Sequence, residues 1–396
     1  MAIILFDGNA HQTLLPLTYT RPVADLRLGI LTVAQKWAKY LKQSYSFHTQ
    51  GYLSVKFPIN IKAENIFING AVCPDELVLE AIDKLSQGEA LKYNGELIAV
   101  KLSEADAKTF DPQTQFDHSI DYTGTPVIIK YPEHIFKNND TELKKDFQLL
   151  TKGRSSAAIS SSNTIIGNDF FAEEGAVAEC SSFNTTNGPI YLANTTEVWE
   201  GTHIRGSFAL CNNSQVKMGT KIYGGTTVGP YCRVGGEINN SVIWGYSSKG
   251  HEGYLGNSVM GEWCNIGADS NNSNMKNNYA EVKLWDYLSQ HFRATGLQFC
   301  GLIMADHSKC AINTMFNTGT VVGVSCNVFG AGFPRNFVPD FSWGGSHGYE
   351  TYSLKKAFET NERVFARRDH RKFDDVERDI LKAVFELTEE YRHIGH

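Results

Sequence analysis

VWEGTHIRGSFALCNNSQVKMGTKIYGGTTVGPYCRV, residues Val198 to Val234, decides the fold. A β-branched or aliphatic residue stands at every sixth position: Val198, Ile204, Leu210, Val216, Ile222, Val228 and Val234. A period of six is neither the 3.6 of a helix nor the 2 of a flat strand. It is the period of a hexapeptide parallel β-helix, in which each sixth side chain points into the bore and three hexapeptides make one triangular coil.

Upstream, Ile159, Ile165, Phe171, Val177 and Phe183 keep the same step, so the coils are expected to begin there. Downstream, Val242, Val259 and Ile266 continue the apolar positions with extra residues between them. Ser270–Phe299 lacks the period and reads as an excursion. Ile303, Ile312, Val321, Val322 and Val328 suggest the final coils. Phe341–Gly345 reads as a turn-rich cap, followed by two amphipathic helices broken near His370–Asp374.

Residues 1–152 have another style. Ile3–Phe6, Asn65–Asn69, Leu97–Leu102 and Pro126–Ile129 read as strands, and Leu31–Leu41 and Asp75–Leu85 as helices. Such alternation predicts an α/β domain with a largely parallel sheet. The fold class is therefore an α/β N-terminal domain (1–152), a left-handed parallel β-helix (153–340) and a C-terminal helical extension (341–396).

Composition sets limits. With 42% hydrophobic and 20% charged residues the chain is ordinary globular material. A net charge of −6 supplies no basic excess for a general nucleic-acid binder. Met1–Asp7 reads as a first strand and not a signal peptide, and no apolar run approaches a membrane span. The eight cysteines form no C-x-x-C pair and are expected as buried, reduced thiols of a cytoplasmic protein.

The densest polar constellation follows the regular coils: Lys249-Gly250-His251-Glu252-Gly253-Tyr254-Leu255-Gly256, then Asn265-Ile266-Gly267-Ala268-Asp269, then Asn274. Glycines permit close backbone approach to a ligand. A histidine can serve as a general base near neutral pH, and amides with backbone N–H groups can bind a developing oxyanion. From residue types alone, a structural histidine and a catalytic base both remain open.

These motifs resemble the acetyltransferase half of the bifunctional GlmU enzymes, which carry a Lys-x-Gly-His-x-x-Tyr-Leu-Gly stretch followed by Asn-Ile-Gly-Ala-Gly and an asparagine. Here the lysine stands one residue nearer the histidine, and Asp269 replaces the last glycine. The resemblance implies that His251 is the base taking a proton from the substrate amine as it attacks acetyl-CoA. It implies that Tyr254 and Asn274 hold an amino sugar phosphate, with Lys249, Glu237 and Lys221 beside them. It also implies that Ala268 lies by the acetyl-CoA. Asn239 stands where the family has a phosphate-contacting lysine, and Arg205 is a second candidate for its other basic position.

The N-terminal residues are similar to sugar nucleotidyltransferases through Leu15-Pro16-Leu17-Thr18-Tyr19-Thr20-Arg21-Pro22. The Gly-rich phosphate loop of those enzymes is replaced by Gly8-Asn9-Ala10-His11, leaving Gly8 and Arg21 as candidate nucleotide or phosphate ligands, with surface or sheet-edge salt-bridging the other reading of Arg21 and Arg27. The family's metal-holding aspartate falls on Ala71, and an alanine cannot ligate Mg²⁺. The whole chain resembles a Bacteroidetes-type variant of this family. That implies a homotrimer with small-molecule substrates, and neither nucleic acid nor membrane as partner. The alternatives are nucleotidyl transfer in the N-terminal domain, with Mg²⁺, or non-catalytic nucleotide-sugar binding.

Overall fold

The computed structural model describes residues 1–367 and 371–393. It divides into two compact units, Met1–Arg27 with Leu31–Tyr131, and Leu28–Ile30 with Pro132–His396.

The first unit is a six-stranded sheet with order β2-β1-β3-β5-β4-β6. Here β1 is Ala2–Phe6, β2 Tyr45–His48, β3 Glu64–Asn69, β4 Ala90–Tyr93, β5 Glu96–Ser103 and β6 Ser119–Asp121. The sheet is mixed, where a largely parallel one was expected. β1 runs parallel to β2 and β3, but β5 is antiparallel to both β3 and β4. The reason is the short Asn94-Gly95 turn, both residues at positive φ, which lets β4 and β5 pair as a hairpin with no crossover helix. Pro126–Ile129 is not a strand and contributes one bridge, Val72 to Ile128. Helix Val33–Leu41 starts with a capping box between Thr32 and Gln35. Helix Glu76–Asp83 is capped by the Asp75 carboxylate, which accepts Val78 N–H at 2.9 Å.

The second unit is the parallel β-helix. Its three sheets hold six, nine and ten strands, nearly all made of pieces of two or three residues. All seven side chains of the period from Val198 to Val234 are buried in one core that runs the length of the prism. The hexad period thus becomes an apolar bore. Corners repeat as well. Tyr231, Tyr246, Trp263 and His307 occupy successive coils at φ between 60° and 64°. Each left-handed residue costs roughly 1–2 kcal/mol. The rings offset that cost by stacking: Tyr231 on Tyr246 at 5.0 Å, Tyr246 on Trp263 at 4.2 Å, and Trp263 on Phe365 at 3.8 Å between centroids. Phe365 ends helix Leu354–Phe365, so the stack fixes that helix to the prism.

Serines lace the coils together. Ser214, Ser247 and Ser308 each donate to a glycine carbonyl, of Gly229, Gly261 and Gly323. The same hydroxyls accept the N–H of Cys232, Cys264 and Cys326, each at 2.9 Å. Cys180 is exposed and the other seven cysteines are buried, all as free thiols.

Several details differ from expectation. In the first coils Ala172 and Ala178 face the bore, being the pairing partners of Leu192 and Val198, so Phe171 and Val177 point outward. Ile165 pairs with Phe183 but is exposed at the open end of its sheet. Ser270–Asn274 still belongs to the coil, since Asn271–Asn272 pairs with Met315–Phe316. The excursion is therefore 275–299, closed by a bridge from Met275 to Phe299 and carrying the hairpin Lys283–Asp286/His291–Ala294. Ile312 is exposed, and Cys310 and Phe316 fill the bore instead. Ser342–Gly345, expected within a cap, is a strand of the ten-stranded sheet.

Helix Glu133–Thr151, placed by the sequence on the N-terminal side of a boundary at 152, groups with the prism. Its Asn139 amide donates to Gly225 O and Thr227 Oγ1. The helices Leu354–Phe365 and Asp375–Leu387 form as expected, while Arg368 and His370 lie outside the described residues. Among the described residues no helix is long and apolar enough to cross a membrane.

Candidate functional site

The six-stranded face of the prism displays its outward side chains in two columns. Strand pairing sets Ser182, His203, Lys221, Glu237 and Tyr254 side by side on successive rungs. A second column holds Asn184 and Arg205, and further along Asn239 and Gly256. Residues one coil apart in sequence thus become lateral neighbours about 4.8 Å apart.

Tyr254 begins the last strand of this sheet, Tyr254–Gly256. Its phenol lies back over Gly256, and any Cβ at 256 would collide with the tyrosine ring and hydroxyl. From there the hydroxyl accepts the Asn274 amide at 2.9 Å, and the same amide donates to Asn257 Oδ1 at 2.8 Å. Burial raises the Tyr254 pKa, so the phenol stays protonated and can donate. Backbone groups of this strand are met by side chains. Asn271 Oδ1 accepts Tyr254 N–H at 2.8 Å, and Asn272 Oδ1 accepts Gly256 N–H at 2.9 Å.

His251 sits in the turn leading into this strand and is exposed. Its imidazole has no hydrogen-bond partner among the described residues, as an available proton acceptor requires. The turn is fixed from two sides. Glu252 O accepts Asp269 N–H at 3.0 Å from the next coil. Gly253, at φ 116°, passes so close to the Ser270 backbone that no side chain would fit. The strand Asn265–Ile266 runs into Ala268, two residues before Ser270. The Ala268 carbonyl accepts Asn313 N–H at 2.8 Å.

Lys249 is the surprise. Its register partner is Val234, so it points into the bore, where it is 1% exposed. Its ammonium donates to the carbonyl of His251 at 2.7 Å. Burial depresses its pKa to about 8. The lysine expected beside the substrate instead supports the turn that carries His251. Of the other expected residues, the fold brings Lys221, Glu237, Tyr254 and Asn274 onto one face, with His251 and Ala268 in adjoining turns. Sequence reading passed over Asn257, whose position 17 residues before Asn274 was the available signal.

The N-terminal unit holds a separate cavity of about 360 Å³, lined in part by Gly8, Asn9, Thr13, Asn69, Lys92 and Lys130. Gly8 lines it. Arg21 does not, and instead meets Asp25 at 3.2 Å. Asp7 is turned away to accept Val23 N–H at 2.8 Å and the Thr49 hydroxyl at 2.5 Å, and burial raises its pKa to about 7. Glu96 is paired with Lys130 at 2.6 Å. Among the described residues no three His, Cys, Asp or Glu side chains gather to hold a metal. These donors do not fit a Mg²⁺ site.

Residues 3–155 match the model of a family described as sugar nucleotidyl transferase. No curated protein matches the chain. Among solved structures, the chain is similar to an Arabidopsis UDP-N-acetylglucosamine acyltransferase, at 15% identity and TM-score 0.23, over 59% of this chain and 91% of that one. It is also similar to the UDP-N-acetylglucosamine acyltransferase of Campylobacter jejuni, at 16% identity and TM-score 0.22, over 58% and 83%.

Proposed function

We propose that the prism is an acetyl-CoA-dependent N-acetyltransferase acting on an amino sugar phosphate of the glucosamine 1-phosphate kind. The observation that carries this reading is the hydrogen-bonded set Tyr254–Asn274–Asn257, one rung from Glu237 and two from Lys221, with an unengaged imidazole in the turn that starts the rung. The Tyr254 phenol and the amides orient the sugar, and Lys221 supplies positive charge for the phosphate. His251 takes a proton from the amine as its nitrogen bonds to the thioester carbonyl carbon. The C–S bond then breaks, and the imidazolium returns a proton to the departing thiolate. No cysteine or serine stands beside His251 in the turn, which favours direct transfer over an acyl-enzyme. Ala268 borders the thioester. The active assembly is a cytoplasmic homotrimer in which a neighbouring prism completes the site, and light scattering measures its mass.

The test is acetyl-CoA consumption with glucosamine 1-phosphate by wild type and His251→Ala. A loss of at least 100-fold is expected. Equal rates would remove His251 as the base.

A second reading has its own observation. The cavity at Gly8, in a unit matching the sugar nucleotidyl transferase model, supports nucleotide-sugar binding there. Pyrophosphate release from UTP or dTTP with a sugar 1-phosphate would extend that reading to turnover.

A further inference from the structure

Beyond Lys221 the prism face continues into a groove of about 300 Å³. Its lining includes Ser182, Asn184, His203, Arg205, Lys221 and Tyr223, and contains no carboxylate. The amide and cationic groups in it are donors with free valences. His203 Nδ1 is engaged with Ser182 Oγ at 2.7 Å, which leaves Nε2 for a ligand. Asn184 spends its amide oxygen on Thr186, which leaves its NH₂ group. Arg205 and Lys221 are exposed and have no carboxylate partner among the described residues. Tyr223, 44% exposed, presents an aromatic face on the rung beside Arg205. From Tyr254 to Ser182 the column crosses four strand spacings, roughly 19 Å at about 4.8 Å each.

A sugar monophosphate placed at Tyr254 and Asn274 would need only Lys221 for its charge. The further imidazole and guanidinium lie one rung beyond Lys221, and the aromatic ring shares the rung of Lys221 in the second column, beside Arg205. Two cationic side chains on neighbouring rungs suit a diphosphate, an arginine suits its paired oxygens, and an exposed ring suits a planar base. We infer that this groove binds a nucleoside diphosphate portion, so that the site takes the nucleoside-diphosphate-linked form of the amino sugar as well as its 1-phosphate. The inference rests on the acetyltransferase reading for its sugar end, while the groove itself is tested apart from it.

The experiment is isothermal titration calorimetry of the full chain with UDP, TDP and inorganic pyrophosphate, in wild type, Arg205→Gln and Tyr223→Ala. Both substituted side chains lie on the surface, and circular dichroism verifies the fold. At least one nucleoside diphosphate is expected to bind wild type, with Arg205→Gln weakening it about tenfold. Tyr223→Ala is expected to weaken the nucleoside diphosphate about tenfold and leave pyrophosphate unchanged. Absence of binding to wild type overturns the proposal. So does affinity that survives both substitutions, because the nucleotide is then held elsewhere. Acetyl transfer that persists in His251→Ala would remove the base and not the groove, whereas nucleotide affinity indifferent to Arg205 and Tyr223 removes the groove and not the base.

Discussion

Replacing Lys249 with methionine is expected to make the prism more stable at neutral pH and less active. The side chain occupies a bore position that Val234 fills one coil earlier. Burial lowers its pKa from 10.5 to about 8. At pH 7 the folded chain therefore carries a buried charge whose cost is on the order of 3 kcal/mol. Methionine removes that cost and fills a similar volume. It also removes the hydrogen bond to His251 O, worth roughly 1.5–3 kcal/mol for a charged donor. The net change is a gain of about 1 kcal/mol at pH 7. The pH dependence is more diagnostic. Between pH 8 and about 10.5 the unfolded chain binds more protons at this lysine than the folded chain, so wild-type stability rises with pH through that window. The Lys249→Met variant lacks this contribution, and its advantage should shrink from pH 7 to pH 9.5. Urea unfolding followed by tryptophan fluorescence reports it, since Trp244 and Trp263 lie in the same coils. A wild-type minus variant difference that stays constant over that pH range would refute the account. So would a variant several kcal/mol less stable. Acetyl transfer should fall through kcat, because the turn carrying His251 loses its support from below.

Two further substitutions probe the geometry. Gly256→Ala puts a methyl group into the Tyr254 ring, so sugar binding should weaken about tenfold in KM, with a stability loss of about 1–3 kcal/mol from overpacking. Trp263→Ala breaks the corner stack and should cost about 3–5 kcal/mol, with helix Leu354–Phe365 becoming the first site cut in limited proteolysis.

The bore was legible because a closed prism is filled chiefly by apolar side chains, and seven such residues at one six-residue step declare it. The first coils were misread by one residue because Ala172 and Ala178 are small, while the larger Phe171 and Val177 beside them point outward. The local part of the site, His251 to Tyr254 and Ala268 to Asn274, could be read from the chain because its members are close in sequence. The outward columns could not. His203, Lys221 and Glu237 meet only through lateral strand pairing and no local pattern marks them, so Lys221 and Glu237 entered through the family resemblance alone. Lys249 was misplaced for a related reason. It adjoins a glycine-rich turn, and only its pairing with Val234 reveals that it lies in the bore.

Tyr254–Gly256 is the terminal strand of its sheet, partway along the prism. An edge of that kind offers unpaired N–H and C=O groups as a template for another chain. Here the amides of Asn271 and Asn272 take up Tyr254 N–H, Gly256 N–H and Gly256 O. Two side chains thus finish the sheet as an added strand would. These three backbone groups of the last strand are already met where the chain departs into its 275–299 excursion. A parallel solenoid that ends one of its sheets partway must guard that break against self-association, and these two asparagines do so.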